Sequence, residues 1–274
     1  MKKPWMQATP PAPGAWGENM AQFCLTLAGH TGAFTSLFES TPVYLGKYVT
    51  ENTPEFSFTV TREHLLFEAD ALYREALEEG FRPRTFTDPF LERAAIQRAF
   101  AEYLFDFGIL PVHGSTLAAD GKAYLFAARS GTGKSTHTRL WKQLLGDRVF
   151  MINDDRPFLE VTDTGVIAHG TPWSGKHGLD TNVSVPLGGI CLLERGSENA
   201  IAPTNPEALL AFLRHEAYCP LAPEKEEAFL AVTEALANTV PLWHMHCRPD
   251  LKAADMAFSA MSRSQQRSDL HEQP

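Results

Sequence analysis

The sequence contains few cysteines, and none of them belongs to a C-x-x-C pair. The four cysteines are Cys24, Cys191, Cys219 and Cys247. Their wide spacing argues against a zinc knuckle or a dense disulfide framework, so we expect reduced and mostly buried thiols.

Long hydrophobic runs are missing as well. The longest, such as residues 123–128 and 190–193, have the length of a strand and are far shorter than the roughly 20 residues that cross a bilayer.

Positive charge is also scarce, with 24 Lys and Arg against 33 Asp and Glu and a net charge of -9. A general attraction to nucleic acid or to an anionic membrane needs a basic surface, so we expect neither as a partner. At the N-terminus, Pro10, Pro11 and Pro13 interrupt the apolar stretch that a signal peptide needs, which favours a cytoplasmic protein. The hydrophobic fraction of 44% is that of a globular chain, which excludes a disordered or fibrous protein.

Turn residues and apolar periods divide the chain into three regions. Residues 1–106 are predicted to be a β-rich and helical N-terminal part, of which about the first 17 residues are disordered because of their prolines. Residues 107–262 alternate strands with helices and form an α/β domain, and residues 263–274 form a flexible tail. Strands are predicted at residues 23–27, 43–49, 56–61, 115–119, 123–128, 149–152, 158–161, 166–169, 190–193 and 242–247. Helices are predicted at residues 63–79, 88–105, 133–145, 206–215, 224–238 and 250–261.

A glycine-rich turn, here called the P-loop, lies between a predicted strand and a predicted helix. Its residues are Ser130, Gly131, Thr132, Gly133, Lys134, Ser135 and Thr136. Glycines let successive backbone N–H groups turn toward an anion, the helix start adds its positive dipole end, and the lysine reaches the β- and γ-phosphates of a nucleotide. The Ser135 hydroxyl is then a ligand for Mg²⁺. The G-x-x-x-x-G-K-S spacing would place its first glycine where this chain has Ala128. The alternative is a glycine turn that only caps a helix.

Two further groups of polar residues flank the P-loop in the sequence. Asn153, Asp154 and Asp155 end the strand that follows the P-loop helix. There one carboxylate can hold the nucleotide's Mg²⁺ and the other can take the proton of an attacking hydroxyl, although an ordinary Asp-Asp turn is the alternative. His113 precedes Gly114 at the start of the hairpin that leads into the P-loop. A neutral imidazole at that position can bind a metal or orient the acceptor.

In their order along the chain, His113-Gly114-Ser115, the P-loop and Asp154-Asp155 resemble the P-loop kinase superfamily of HPr serine kinase and phosphoenolpyruvate carboxykinase. The resemblance covers about residues 109–170. It implies an α/β fold with a mixed β-sheet, and ATP and Mg²⁺ as ligands. By position it implies that Lys134 binds the phosphates and that Ser135 and Asp155 bind the metal. Asp154 would act as the base and also contribute to metal binding. His113 would be a ligand of the metal or of the acceptor. Which aspartate is the base stays open.

The chain also departs from both named families. The oxaloacetate-binding arginines of the carboxykinases cannot be placed in it, so that reaction is not expected. Residues 170–182 do not look like the signature with which HPr kinases act on their protein partner, so we do not expect HPr as the acceptor. The segment looks closer to HPr-kinase-related proteins of bacteria, some of which are associated with peptide-modifying gene clusters.

Residues 170–182 are nevertheless the candidate acceptor site. They are predicted to form a long polar loop with an exposed Trp173, a Lys176-His177 pair suited to phosphate or an anionic acceptor, and Asn182. A surface loop with a packing tryptophan is the alternative.

Four polar residues lie outside these groups. Arg129 and Arg195 are candidates to neutralise charge in the transition state, although a solvated side chain is favoured for each. His244 and His246 fall on one face of the strand at residues 242–247, whereas Cys247 points the other way. Because no third ligand is evident on that face, a structural strand is favoured over a metal site.

These features predict an ATP-dependent phosphotransferase that moves the γ-phosphate of ATP to a hydroxyl acceptor, either a small molecule or a serine of a peptide. Residues 113–156 carry seven Lys and Arg against four Asp in an acidic chain, which indicates positive charge where a nucleotide would bind. The contrasting hypothesis is a noncatalytic nucleotide sensor. A GTPase or another NTPase acting on water is disfavoured, since the sequence has no Asn-Lys-x-Asp guanine-recognition motif. The oligomeric state stays open, including a homo-oligomer.

Overall fold

The computed structural model describes residues 20–78, 80–216, 220–221 and 223–269. Of the helical residues 215–216 and 263–269, only the backbone is described. The chain divides into two compact units, Met1–Leu104 and Phe105–Pro274. The predicted disorder of about the first 17 residues falls outside the described part of the chain, as does the end of the predicted flexible tail.

The described elements alternate between strands and helices in both units. The strands are β1 (Ala21–Leu27), β2 (His30–Ser36), β3 (Val49–Thr50), β4 (Phe56–Thr59), β5 (Ile109–Pro111), β6 (Gly114–Ala119), β7 (Lys122–Ala127), β8 (Val149–Asn153), β9 (Phe158–Thr162), β10 (Gly165–His169), β11 (Ser184–Arg195), β12 (Ala200–Pro203) and β13 (Leu242–Cys247). The helices are α1 (Ser40–Leu45), α2 (Arg62–Glu78), α3 (Asp88–Leu104), α4 (Lys134–Leu145), α5 (Pro206–Glu216), α6 (Pro223–Thr239) and α7 (Leu251–Asp269).

The first unit is built on a four-stranded sheet in the order β3-β1-β2-β4. Ala28 and Gly29, both with positive φ, form the tight turn between β1 and β2. The core on one face of this sheet is aromatic. Phe34 of β2 stacks on Phe100 of α3 with ring centroids 5.7 Å apart, and both side chains are fully buried. Packing of α3 against this sheet therefore buries aromatic side chains from both elements.

One sequence prediction in the first unit is wrong. Residues 43–49 were expected to form a strand, but the chain folds into α1 and a 3-10 turn at Gly46–Tyr48 before the two-residue strand β3. The β-type residues of this segment satisfy strand propensity, yet tertiary contacts decide the outcome. Leu45 and Thr41 are buried, and the Thr41 hydroxyl donates a hydrogen bond to the buried carboxylate of Glu92 in α3. Strand β2 was not predicted at all.

The second unit contains a mixed sheet whose longest strand, β11, joins two parts. Through its first residues β11 pairs with β10, which continues the antiparallel series β10-β9-β5. Through its later residues β11 runs parallel to β7 and β13. Strands β6 and β8 lie beyond β7, and β12 lies beyond β13. Because β7, β11 and β13 are parallel, their carboxyl ends meet at one edge of the sheet.

Helices α4 and α7 cover one face of this sheet. The indole of Trp141 in α4 is fully buried, and it lies 5.3 Å from the ring of Phe126 in β7 and 5.4 Å from that of Phe258 in α7. Trp243 and Met245 of β13 belong to the same cluster. This packing fixes α4, and with it the P-loop at its start, against the strand that precedes the loop.

The predicted α/β class with a mixed sheet is confirmed. The hairpin that leads into the P-loop is formed by β6 and β7, and it turns at Asp120-Gly121 with positive φ at both residues. Strands β5 and β12 were not predicted, and α7 continues to Asp269, beyond the helix end expected at residue 261.

Among the described cysteines, Cys191 is buried, Cys24 and Cys247 are half-buried, and all three are free, whereas Cys219 lies outside the described residues. No helix within the described part of the chain is long and apolar enough to cross a membrane.

Candidate functional site

The P-loop connects the end of β7 to the start of α4, as the sequence predicts. Gly131 and Gly133 have φ values of +75° and +122°, which an L side chain rarely adopts. No heavy atom lies within 4 Å of where a Cβ would stand on either residue. The backbone conformation, and not crowding, therefore requires glycine. Helix α4 begins at Gly133 without a side-chain cap, and the start of a helix attracts an anion through its N–H groups and its dipole.

Two cationic side chains bind carbonyl groups in this loop or just before it. Lys134 is buried, and its Nζ donates to the carbonyl oxygen of Ala128 at 2.8 Å. Arg195, from the end of the parallel strand β11, donates to the carbonyl oxygens of Gly131 and Thr132. Arg195 is exposed, as the sequence suggested, but it contacts the loop directly. The loop is thus held by a buried ammonium from its own helix and by a guanidinium from a neighbouring strand.

Asn153 shapes the turn that carries the two aspartates, a role that the sequence analysis missed. Its buried side-chain carbonyl accepts hydrogen bonds from the backbone N–H groups of Asp155, at 2.8 Å, and Arg156, at 2.7 Å. Its amide group donates to the carbonyl oxygen of Thr171 at 2.9 Å. An asparagine directly before two aspartates at a strand end is typical of such a side-chain-stabilised turn, and this signal was available in the sequence.

The structure separates the environments of Asp154 and Asp155. Asp154 is buried, and its Oδ1 accepts a hydrogen bond from the Ser115 hydroxyl at 2.6 Å. The Ser115 Oγ also lies 3.2 Å from the Oγ1 of Thr138 in α4, which ties Asp154 to the P-loop helix. Asp155 is half-exposed, and its Oδ1 lies 3.5 Å from the Nε2 of His113. The site residues predicted from sequence therefore come together as two pairs, Asp154 with α4 and Asp155 with His113.

A cleft of about 520 Å³ opens beside the start of α4. Both Ser135 of the P-loop and Asp154 line it, together with part of the loop that the sequence assigned to the acceptor. Its lining residues are Ser135, Thr138, Arg139, Lys142, Val149, Phe150, Met151, Asp154, His177, Gly178, Leu179, Asp180 and Thr181. The cleft is therefore lined by the Ser135 hydroxyl next to the candidate phosphate site, by the buried carboxylate of Asp154 and by an exposed loop.

The loop at residues 170–182 folds back onto the end of β8. The Thr181 backbone N–H donates to the carbonyl oxygen of Ile152 at 3.0 Å, and the Ser174 hydroxyl donates to Asp180 at 2.8 Å. At Gly170 a Cβ would lie 1.8 Å from the carbonyl oxygen of Thr181, so this approach is open only to glycine. These contacts position the cleft-lining part of the loop.

The prediction of an exposed Trp173 is wrong. Its indole is 8% exposed and stacks on the ring of Phe158 at 6.0 Å, because this part of the loop covers the sheet. Trp173 is therefore a packing residue and not a surface contact for an acceptor. His177 lines the cleft, whereas Lys176 and Asn182 are exposed on either side of the lining segment.

Fold and loop together define the class of this protein: an α/β domain in which a P-loop joins a strand to a helix. No family model matches the sequence, and no curated protein matches it. Among solved structures, the chain is similar to the Hpr(Ser) kinase/phosphatase from Coxiella burnetii, with a TM-score of 0.36 and 9% sequence identity over 58% of this chain and 98% of that chain. The function is inferred from the geometry of the site.

Proposed function

We propose that the protein is an ATP-dependent phosphotransferase that moves the γ-phosphate of ATP to a hydroxyl acceptor. The observation that carries this proposal is the cleft that is lined both by Ser135, at the start of the P-loop helix, and by the buried carboxylate of Asp154. Binding a nucleotide requires the loop alone. A carboxylate in an adjoining cleft large enough for a second molecule is what transfer to an acceptor requires.

The P-loop residues bind the phosphates in this proposal. The uncapped first turn of α4 offers N–H groups to the phosphate oxygens. Lys134, whose ammonium reaches the carbonyl oxygen of Ala128, exchanges that partner for a phosphate oxygen, which is a stronger hydrogen-bond acceptor because it is charged. Arg195 keeps the loop in shape through Gly131 and Thr132.

Asp154 acts as the general base. The Ser115 hydroxyl holds one carboxylate oxygen, so the carboxylate has a fixed orientation in the cleft. The acceptor oxygen forms a bond to the γ-phosphorus while the bond from that phosphorus to the β–γ bridging oxygen breaks. The acceptor's proton passes to Asp154, and the leaving group is ADP. Asp155 is the less suitable base, since it is half-exposed and adjoins His113.

The donor set of Ser135, Asp154 and Asp155 fits Mg²⁺. Hydroxyl and carboxylate oxygens are the ligands that this ion prefers, usually one or two carboxylates with water and phosphate oxygens. Ser135, Asp155 and Asp154 are the residues that would hold it, with His113 as the neighbour that orients Asp155. When bound, the ion neutralises charge on the β- and γ-phosphate oxygens.

The acceptor class follows from the cleft. A volume of about 520 Å³ lies within the range of small-molecule sites, and the exposed lining residues His177 and Gly178 are accessible to a peptide carrying a serine. Both acceptor types present the same group, a hydroxyl oxygen, to Asp154.

The test is transfer of labelled γ-phosphate from ATP, with Mg²⁺, to panels of hydroxyl metabolites and serine peptides and to cell lysate. Lys134→Ala should weaken nucleotide binding by about 10- to 100-fold, the cost of one charge-assisted hydrogen bond. Asp154→Asn should keep nucleotide binding and slow transfer by about 10²- to 10⁴-fold, as expected for loss of a base. Lys252→Ala and Asp163→Asn, which change exposed residues away from the cleft, are the matched controls.

Three outcomes would contradict the proposal. If the wild type binds no nucleotide, or if Lys134→Ala transfers phosphate as well as the wild type, the P-loop assignment is wrong. The protein is a nucleotide sensor if the wild type binds nucleotide but transfers phosphate to no acceptor, and if the Asp154→Asn variant responds to nucleotide as the wild type does.

A further inference from the structure

Three side chains with metal-ligating atoms converge at the carboxyl ends of β11 and β13. The Nε2 of His244 lies 3.3 Å from the Oε1 of Glu194, and the Nδ1 of His246 lies 3.6 Å from the Oε2 of Glu194. Within the described part of the chain, this is the one group of three His, Cys, Asp or Glu residues whose ligand atoms all lie within 4.8 Å of one another.

The register of two parallel strands creates this cluster. Glu194 of β11 is directly opposite His246 of β13, and opposite residues of paired strands point to the same face. His244 precedes His246 by two positions and so shares that face. Within β13 alone no third ligand is evident, because Cys247 packs against the core on the other face. The third ligand, Glu194, comes from the neighbouring strand β11. The sequence alone does not predict the register in which β11 pairs with β13.

The distances suit a metal ion. Four ligands at about 2.1 Å around a tetrahedral ion are about 3.4 Å from one another, close to the 3.3 Å and 3.6 Å between the carboxylate oxygens and the imidazole nitrogens. The two imidazole rings lie edge to face, with centroids 4.8 Å apart and an angle of 85° between their planes. Both rings can therefore turn a nitrogen toward one point without stacking on each other.

We propose that Glu194, His244 and His246 form a binding site for a divalent first-row transition metal ion of the Zn²⁺ class. Imidazole ligands select such ions over Mg²⁺ and Ca²⁺, which prefer oxygen ligands. The side chains of His244, His246 and Glu194 are 34%, 50% and 60% exposed. An ion can thus enter from solvent and keep water in its remaining coordination position. Bound there, it links the end of β11 to the end of β13.

The alternative to a metal site is a cluster held only by hydrogen bonds from the two histidines to the carboxylate, and it would show the same distances. A metal site and a hydrogen-bonded cluster differ in how tightly they bind added metal. Hydrogen-bonded histidines would bind Zn²⁺ no better than the pair His30 and Glu55, which also joins one imidazole to one carboxylate, at 2.9 Å. Three converging ligands should bind it much more tightly than two.

The experiment uses the full chain without an affinity tag. Zn²⁺, Co²⁺ and Mg²⁺ are titrated separately by isothermal calorimetry, and Co²⁺ binding is also followed by its visible absorption, which reports ligand geometry. We expect one Zn²⁺ or Co²⁺ per chain at this site, a higher Tm with Zn²⁺, and no binding of Mg²⁺ there. His244→Ala, His246→Ala and Glu194→Gln should each weaken Zn²⁺ binding by more than the roughly 10- to 100-fold that loss of an outer-sphere partner costs. His30→Ala is the matched control and should bind like the wild type.

The proposal is overturned if the wild type binds no Zn²⁺, or if the double variant His244→Ala with His246→Ala binds it with unchanged stoichiometry and affinity. Because each of the three side chains is at least one-third exposed, the variants should fold, and an unchanged circular dichroism spectrum and metal-free Tm establish that they do. The site does not depend on the phosphotransferase assignment. Loss of metal binding with intact phosphate transfer, or the reverse, identifies which of the two proposals has failed.

Discussion

The P-loop helix α4 carries a buried histidine whose titration should govern stability below neutral pH. The imidazole of His137 is 2% exposed, and its Nε2 accepts a hydrogen bond from the indole N–H of Trp141 at 3.2 Å. Burial disfavours the charged ring and lowers the pKa of His137 from 6.5 to about 4. The ring is therefore neutral in the folded protein at physiological pH.

The direction and the size of the effect follow from this pKa. In the unfolded chain His137 titrates near 6.5, so between that pH and about 4 the unfolded chain binds more protons than the folded protein. The contribution of His137 to the free energy of unfolding is therefore greatest above pH 6.5 and is lost as the pH drops toward 4. A difference of about 2.5 pKa units at about 1.4 kcal/mol per unit amounts to about 3 kcal/mol. Of this, about 2 kcal/mol is lost between roughly pH 7.5 and 5.

Urea unfolding followed by tryptophan fluorescence, in buffer with a metal chelator, measures this loss. His137→Gln keeps an acceptor for the Trp141 indole but cannot titrate. The fall in unfolding free energy from about pH 7.5 to 5 should therefore be about 2 kcal/mol smaller in this variant than in the wild type. His177→Gln changes an exposed histidine and should keep the wild-type dependence. Equal pH dependence in His137→Gln and the wild type would refute the assignment of a buried neutral imidazole.

Three further changes test the core, the base and the acceptor loop. Trp141→Ala should lower the free energy of unfolding by about 3–5 kcal/mol, as for other buried tryptophans. A loss below about 1 kcal/mol in urea unfolding would show that α4 is not held by this aromatic cluster. Ser115→Ala removes the donor to Asp154 and should slow phosphate transfer by about tenfold or more at unchanged nucleotide affinity; an unchanged rate would argue against Asp154 as base. Gly170→Ala places a Cβ against the Thr181 carbonyl and should cost about 1–3 kcal/mol. Unchanged stability would mean that the loop has room to move.

Elements with strong local signals were predictable from the sequence. Helix α2 was expected at residues 63–79 and is found at Arg62–Glu78, because its apolar period and the glycine after it are local features. The P-loop needs glycine at positive φ, a strand before it and a helix after it, and each of these leaves a mark within a few residues. Helix α4 accordingly begins one residue after the predicted start.

Elements that depend on distant contacts were not predictable. Strand β2 has the sequence His-Thr-Gly-Ala-Phe-Thr-Ser, in which Phe34 is the only large apolar residue, so it lacks the alternation that marks a strand. It forms because both of its edges pair, with β1 and with β4. The helix at Ser40–Leu45 likewise depends on a carboxylate more than forty positions away, that of Glu92.

The candidate site shows the same division between local and distant information. The types and order of its residues, from His113 through Lys134 to Asp155, could be recognised from the sequence. Their hydrogen-bonding and packing partners could not. The Ser115 hydroxyl meets Asp154 because β6 pairs with β8, and Trp173 is buried because the loop folds over Phe158. Strand register decides these contacts, and a single sequence does not specify register.

Strand β11 shows how one such register can serve two separate purposes. At its carboxyl end, Arg195 and Glu194 are neighbours, and neighbouring residues of a strand point to opposite faces. Because Leu192 of β11 pairs with Ala127 of β7, the end of β11 runs beside the P-loop, which explains how Arg195 reaches two of its carbonyl groups. Because Glu194 pairs with His246, the opposite face gathers the proposed metal ligands. The two sites are therefore adjacent in sequence yet lie on opposite faces of the sheet, so replacing Glu194 should disturb metal binding and leave the Arg195 contact with the loop in place.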